Sequence, residues 1–221
     1  MVSGPHSDQP IEHAGPALAD AAAALVLVHG RGARATGMLG LANETGTDDV
    51  AFLAPQAQRG TWYPNSFLAP LDSNQPHLDS ALDCIDRLVA DIAAGTVDED
   101  GGDGIPRDRI IILGFSQGGC LATEYAARNA DRYGGIVALS GGLIGPEGTS
   151  RAYDGSMEAT PVFVGCGDQD QHIPVDRVEE TARVFRDLDA DVEKRLYEGI
   201  GHTVLEDELE YVRELVADVV D

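Results

Sequence analysis

Short apolar segments alternate with longer amphipathic segments along most of the chain. The predicted strands cover residues 24–29, 50–55, 109–114, 135–140, 161–166 and 192–198. The clearest helical segments cover residues 77–94, 117–130, 175–188 and 205–219. Strands that alternate with helices are typical of a parallel sheet that is covered on both faces. The pattern therefore predicts an α/β fold with a mainly parallel, doubly wound sheet.

The length of the chain limits the number of domains. Its 221 residues, 43% of them hydrophobic, are enough for one well-buried α/β domain and short for two. We therefore predict a single domain over residues 1–221, in which residues 1–23 form an irregular or hairpin-like lead-in. The sequence has no run of 18 apolar residues and no cationic signal sequence, so we expect a cytoplasmic protein.

The segment ILGFSQGGC, residues 112–120, places a serine where a predicted strand meets a predicted helix. Ser116 has Gly114 two positions before it and Gly118 two positions after it. In that context Gly-x-Ser-x-Gly is the nucleophile elbow, a turn so tight that larger side chains at the glycine positions would collide with backbone. The start of the following helix also offers free N–H groups to an oxyanion. Ser116 is therefore the predicted nucleophile.

Two other predicted strands end in groups that could activate a serine. The strand at 161–166 is followed by GDQDQHIP, which contains Asp168 and Asp170, and the strand at 192–198 is followed by GIGHTV, which contains His202. A serine hydroxyl needs an imidazole base, and that imidazole needs a carboxylate partner. We predict His202 as the base. These residues alone leave open which aspartate is the acid, although a turn-capping role suits Asp168.

An oxyanion hole would complete such a site. The strand at 24–29 runs into HGRGA, residues 29–33, and a glycine-rich turn there can aim a backbone N–H at a developing oxyanion. We predict the backbone N–H groups of Arg31 and Gln117 as the two donors. Phosphate binding is the alternative for this loop, but neither GxGxxG nor GxxxxGK[ST] is present.

These motifs resemble those of the carboxylesterase, phospholipase and acyl-protein thioesterase family of α/β-hydrolases. The resemblance rests on HGRGA, GFSQGG, ALSGGL, GDQDQHIP and GIGHTV in this order, and it covers about residues 24–219. It implies the α/β-hydrolase fold, with Ser116 as nucleophile, Asp170 as acid and His202 as base. It also implies hydrolysis of carboxylic esters, thioesters or lysophospholipids through an acyl-enzyme, with no metal and no organic cofactor.

The chain departs from the family pattern near the expected acyl pocket. Arg31 stands where many members have leucine, so its side chain is expected to reshape the pocket or to favour an acidic substrate. The segment RGTWYPNSFLAP, residues 59–70, corresponds to a loop that borders the substrate in relatives. Trp62, Tyr63 and Phe67 are predicted to line the acyl pocket, and packing of this loop onto the domain is the alternative.

Two other functions remain open at this stage. Dienelactone hydrolases share the fold and would explain an arginine that recognises an acid, but they typically have cysteine at the elbow, where this chain has Ser116. A non-catalytic binding protein with the same fold is the second alternative, and such proteins usually lack a member of the triad. The three cysteines, Cys84, Cys120 and Cys166, are predicted to be small buried hydrophobic residues.

The charge of the chain is strongly negative. Asp and Glu total 38 against 15 Lys and Arg, the formal net charge is -23, and Lys194 is the only lysine. Such a surface repels nucleic acid and anionic membranes, and Val2, with no nearby cysteine, offers no palmitoylation site. We therefore expect a small-molecule ester as the partner, with no nucleic acid and no stable membrane anchor; a homodimer is left open.

The same charge suggests the medium in which the protein works. Self-repulsion among acidic groups opposes compaction in dilute buffer and weakens as salt shortens the Debye length. The sequence therefore predicts a halophilic protein, and an acidic mesophilic hydrolase is the alternative.

Overall fold

A computed structural model describes residues 4–40, 44, 48–97 and 103–221. The strands within these residues are β1 (Ile11–Ala14), β2 (Ala23–Val28), β3 (Val50–Pro55), β4 (Ile110–Phe115), β5 (Gly135–Leu139), β6 (Pro161–Gly167) and β7 (Asp191–Tyr197). The α-helices are α1 (Ala35–Met38), α2 (His77–Ala94), α3 (Gln117–Arg128), α4 (Val175–Asp187) and α5 (Glu206–Val220). Short 3-10 helices cover Leu18–Asp20, Gln58–Gly60, Leu71–Asn74 and Arg107–Arg109.

The strands form one seven-stranded sheet in the order β1-β3-β2-β4-β5-β6-β7. Neighbouring strands are parallel from β3 to β7, whereas β1 is antiparallel to β3 at one edge. The predicted strands all form, and each boundary lies within one residue of its predicted position. Because the carboxyl ends of β2, β4, β6 and β7 lie at the same edge of the sheet, the loops that follow these strands can meet there.

Both faces of the sheet are buried, which explains the continuous apolar strands. In β2, Val26 and Val28 pack into a core shared with α2, α3 and α4, while Leu25 and Leu27 pack into a second core shared with α1 and α5. Each strand residue thus faces one of two helical layers, and no strand position in β2 is left for a polar side chain.

The lead-in at 1–23 contains more structure than the sequence predicts. Residues 4–10 and the 3-10 helix Leu18–Asp20 flank β1, whose four residues alternate between exposed and half-buried. Residues 1–3 lie outside the described residues. Strand β1 escaped prediction because it is short, lies at an edge and mixes Ile11 and Ala14 with Glu12 and His13, so its sequence has no continuous apolar run. Among the described residues, no helix has the length and apolar character needed to cross a bilayer.

Candidate active site

Ser116 occupies a strained turn between β4 and α3. Its backbone has φ 56° and ψ -119°, a region that side-chain-bearing residues seldom adopt. A Cβ atom on Gly114 would lie 2.2 Å from the carbonyl oxygen of Gly118, and one on Gly118 would lie 2.0 Å from that of Val28. The two glycines are therefore required by the close approach of backbone on either side of the serine.

The three residues predicted as a triad lie together in one hydrogen-bonded chain. Nε2 of His202 is 2.8 Å from Oγ of Ser116, and Nδ1 of His202 is 2.6 Å from Oδ2 of Asp170. Asp170 lies in the turn after β6, and His202 lies in the loop between β7 and α5. The topology thus joins residues that are 86 and 32 positions apart in sequence.

Asp170 lies in a site built to hold a carboxylate. Its side chain is fully buried, and Oδ1 accepts hydrogen bonds from the backbone N–H groups of His172 (2.8 Å) and Ile173 (3.1 Å). Burial opposes ionisation, but the hydrogen bonds from His202 and from these two amides outweigh it and lower the pKa of Asp170. The carboxylate is therefore charged at neutral pH and can stabilise a protonated His202.

Asp168 has a separate structural contact. Its Oδ1 accepts a hydrogen bond of 2.8 Å from the backbone N–H of Gly199, in the turn after β7, and the residue is exposed. It therefore caps the neighbouring turn, the role that the turn sequence favours for this residue.

Arg31 and Gln117 both lie beside Ser116. Gln117 is the first residue of α3, so its backbone N–H has no acceptor within the helix. The loop that carries Arg31 is fixed by a hydrogen bond of 2.7 Å from Gly32 N–H to the carbonyl of Gly60. Both residues line the same cavity as Ser116.

The side chain of Gln117 has a role that sequence reasoning missed. Its Oε1 accepts from the N–H of Trp62 (3.0 Å), and its Nε2 donates to the carbonyl of Tyr63 (2.8 Å). The carboxamide thus joins the nucleophile elbow to the segment at 59–70. The available signal was a glutamine directly after Ser116, at the start of a helix that is otherwise rich in small and apolar residues.

The cavity above Ser116 has a volume of about 550 Å³. Tyr63 and Phe67 are among its lining residues, with Phe115 and His172 on other sides. Trp62 does not line it. That indole is fully buried and donates to the carbonyl of His29 (2.9 Å), so for Trp62 the packing alternative describes the structure.

Two buried histidines form hydrogen bonds with the backbone of residues 57 and 62, beside and within the segment at 59–70. Neither histidine was singled out from the sequence. Nε2 of His6 lies 2.9 Å from the carbonyl of Trp62, while Nε2 of His29 accepts from the N–H of Ala57 (3.1 Å). Burial lowers the pKa of both imidazoles, which favours their neutral forms. The lead-in therefore supports a wall of the cavity through His6.

The Arg31 guanidinium also contacts this wall. It donates to the carbonyls of Pro64 (2.9 Å) and Asn65 (2.6 Å), and its Cζ lies 5.9 Å from the centre of the Tyr63 ring. The substitution of arginine for leucine thus adds two hydrogen bonds to the loop that borders the cavity.

Cys120 and Cys166 are buried close to the site. Burial raises the pKa of each thiol to about 12, so both remain protonated at neutral pH. Neither is therefore activated as a nucleophile in competition with Ser116. Cys84, which was predicted to be buried with the other two cysteines, is partly buried.

A family model described as Phospholipase/Carboxylesterase matches residues 15–220. The chain is also similar to the solved structure of a phospholipase/carboxylesterase from Dyadobacter fermentans, with 41% identity, a TM-score of 0.88, and coverage of 98% of this chain and 100% of that one. This likeness confirms the predicted α/β-hydrolase fold.

Curated relatives match either a shorter part of the chain or a longer part at lower identity. Acyl-protein thioesterase 1 of Saccharomyces cerevisiae is 35% identical over 117 residues, 52% of each chain, so the chain spans about half the length of this relative. Acyl-protein thioesterase 1 of Yarrowia lipolytica is 27% identical over 209 residues, which are 85% of this chain and 88% of the relative.

Proposed function

Because the chain belongs to the phospholipase/carboxylesterase family of serine hydrolases, we propose that it hydrolyses carboxylic esters through an acyl-enzyme formed on Ser116. The hydrogen-bonded chain from Ser116 through His202 to Asp170 is the observation that carries the proposal. A buried carboxylate, an imidazole and a strained serine at such distances form the arrangement that activates a hydroxyl for acyl transfer.

The mechanism has two steps. In the first, Nε2 of His202 accepts the Ser116 proton, Oγ attacks the ester carbonyl, and His202 then protonates the departing alcohol oxygen. In the second, water loses a proton to His202 and attacks the carbonyl of the acyl-enzyme. The acid leaves as the bond to Oγ breaks, and His202 returns its proton to Oγ, which restores the Ser116 hydroxyl. The backbone N–H groups of Arg31 and Gln117 donate to the oxyanion in both steps.

The acyl group is proposed to lie in the cavity against Tyr63 and Phe67. The volume of this cavity, about 550 Å³, is within the usual range of small-molecule sites and is enough for an acyl group. Thioesters and lysophospholipids belong to the same proposal, because the same two steps cleave them and because relatives are named acyl-protein thioesterases.

The experiment is a kinetic panel on the purified chain. Wild type and Ser116→Ala are compared on p-nitrophenyl esters of increasing chain length, on an acyl thioester and on a lysophospholipid, with fluorophosphonate labelling in parallel. We expect ester hydrolysis and labelling only in the wild type. A folded wild type that neither turns over any member of the panel nor accepts the label would contradict the proposal.

The proposed setting is a salt-rich cytoplasm, in which residues 1–221 act as one domain. Exposed carboxylates cover the outer faces of two helices, with Asp79, Asp83 and Asp91 on α2 and Glu206 and Glu210 on α5. Such a surface supports a protein that stays compact when salt screens its charges.

A further inference from the structure

The charged side chains around the 30–33 loop, which carries the proposed oxyanion donor Arg31, are mostly positive, whereas the whole chain is negative. A second cavity, of about 520 Å³, is lined by Gly32, Ala33 and Arg34 and shares Ala33 with the cavity above Ser116. Among the residues that line the two cavities, Arg31, Arg34 and Arg59 carry positive charge and Glu12 alone is acidic. The local excess of cations contrasts with a chain total of 38 acidic and 15 basic residues.

Arg34 and Arg59 are available for a ligand. Both are exposed, and within the part of the chain that the structure describes neither guanidinium has a hydrogen bond or an ion pair. Other arginines, such as Arg107, Arg128 and Arg195, are paired with a carboxylate. Arg183, which is exposed on α4, is also without a hydrogen bond or ion pair among the described residues.

The backbone connects Arg59 directly to the proposed oxyanion donor. Gly60, the residue after Arg59, accepts the hydrogen bond from Gly32, the residue after Arg31. Arg59 itself has φ 55° and ψ 24°, a left-handed conformation that glycine or asparagine adopts more easily. The fold therefore holds an arginine beside the loop at a position that favours other residues.

We propose that the ester substrates carry an anionic group, a carboxylate or a phosphate, and that Arg34 and Arg59 bind it across the 30–33 loop. This inference rests on the proposed ester hydrolysis. Guanidinium groups suit both anions because their parallel N–H groups match two oxygens at once. Arg31 uses only two of its five N–H groups on the carbonyls of Pro64 and Asn65, and it adds positive charge to the lining of the cavity above Ser116.

The test uses pairs of esters in which one member carries an added anionic group. On the acyl side, the 4-nitrophenyl monoester of adipic acid is compared with 4-nitrophenyl hexanoate. On the alcohol side, acetyl glycerol phosphate is compared with monoacetyl glycerol. For wild type and for Arg34→Gln/Arg59→Gln, the ratio of kcat/KM for the anionic ester to that for its neutral partner is measured.

We expect the double substitution to lower this ratio by about tenfold in at least one pair, through a higher KM, and to leave the neutral esters unchanged. The affected pair tells whether the anion belongs to the acid or to the alcohol. Arg87→Gln, an exposed arginine on α2, is the matched control and should leave both ratios unchanged. Thermal melts establish that the variants are folded.

Equal ratios in wild type and double variant for both pairs would overturn the anion site while leaving the esterase proposal intact. Absence of turnover on all four esters would instead count against the esterase proposal itself. Because each comparison is a ratio at one ionic strength, a general effect of salt on the enzyme cancels.

Discussion

Gln117 Nε2 donates a hydrogen bond of 2.8 Å to the carbonyl of Tyr63, so the residue that follows Ser116 also holds a wall of the cavity above it. Its Oε1 accepts from the next amide back, that of Trp62. One buried carboxamide thus sets the position of the cavity wall relative to the turn that carries Ser116.

Replacement of Gln117 by glutamate tests this link. The carboxylate can still accept from Trp62 N–H, but it faces the Tyr63 carbonyl with no proton to donate. We expect urea denaturation to show a loss of about 1–3 kcal/mol in the free energy of unfolding, with a lower kcat/KM for esters. Gln58→Glu, at an exposed position just before the segment at 59–70, is the control. Equal stability of the two variants would show that the carboxamide does not hold the wall.

The two aspartates after β6 should differ sharply in their effect on turnover. Asp170→Asn presents an amide to Nδ1 of His202 and favours the wrong tautomer, so we expect kcat to fall by about 10⁴-fold. Asp168→Asn keeps an oxygen for Gly199 N–H and should retain most of the activity. Steady-state kinetics on one p-nitrophenyl ester decide between them, and the opposite ranking would assign the acid to Asp168.

The sequence predicts those parts of the molecule whose cause is local. Strand β3 was predicted at its observed bounds because a buried parallel strand is a continuous apolar run, and Ser116 was found because its flanking glycines answer a local steric need. The parallel topology then brought Asp170 and His202 to the same edge. The resemblance to known hydrolases selected Asp170 over Asp168.

The features that escaped prediction depend on contacts distant in sequence. Trp62 is an aromatic residue of the kind that lines pockets, yet its indole N–H donates to the carbonyl of His29 and the ring is buried in the core. The hydrogen bond between the imidazole of His6 and the carbonyl of Trp62 joins residues 56 positions apart, and no local sequence pattern predicts it. Long-range hydrogen bonds of this kind join polar residues that are unremarkable in their own segments.

Glu208 should make stability depend on pH. This carboxyl is 1% exposed in the first turn of α5, where Oε2 accepts from Leu205 N–H (2.8 Å) and Oε1 has no partner among the described residues. Burial raises the pKa of Glu208 from 4.5 to about 7. The folded state therefore keeps a proton that the unfolded chain loses, and stability from this group falls as pH rises from about 4.5 to about 7.

Glu208→Gln removes that dependence while it keeps an acceptor for Leu205. Relative to wild type, the variant should gain stability steadily between pH 5 and pH 7, by up to about 1.4 kcal/mol for each pH unit, and the gain should level off above pH 7. Urea denaturation at several pH values measures the difference, with the exposed Glu206→Gln as the control. A difference that is constant across this range would mean that Glu208 is ionised in the folded protein.

Salt should raise both the melting temperature and the esterase rate. A formal charge of -23 on 221 residues opposes compaction, and screening reduces that repulsion as the Debye length falls from about 10 Å at 0.1 M salt to about 3 Å at 1 M. Screening alone saturates near 1 M, so a further gain at higher KCl would indicate ion exclusion or ion binding.

A charge-neutralised variant separates self-repulsion from general salt effects. Asp72 and Asp83 are exposed, and their carboxylates have no hydrogen bond or ion pair within the described residues. The double substitution Asp72→Asn/Asp83→Asn therefore removes two negative charges without the loss of a contact. The double variant should melt at a higher temperature than wild type in 0.1 M KCl, and the two should converge above 1 M, where the repulsion is already screened. Thermal melts and the ester assay over this range measure both effects. Curves for wild type that stay flat or fall with salt would identify an acidic protein adapted to dilute solution.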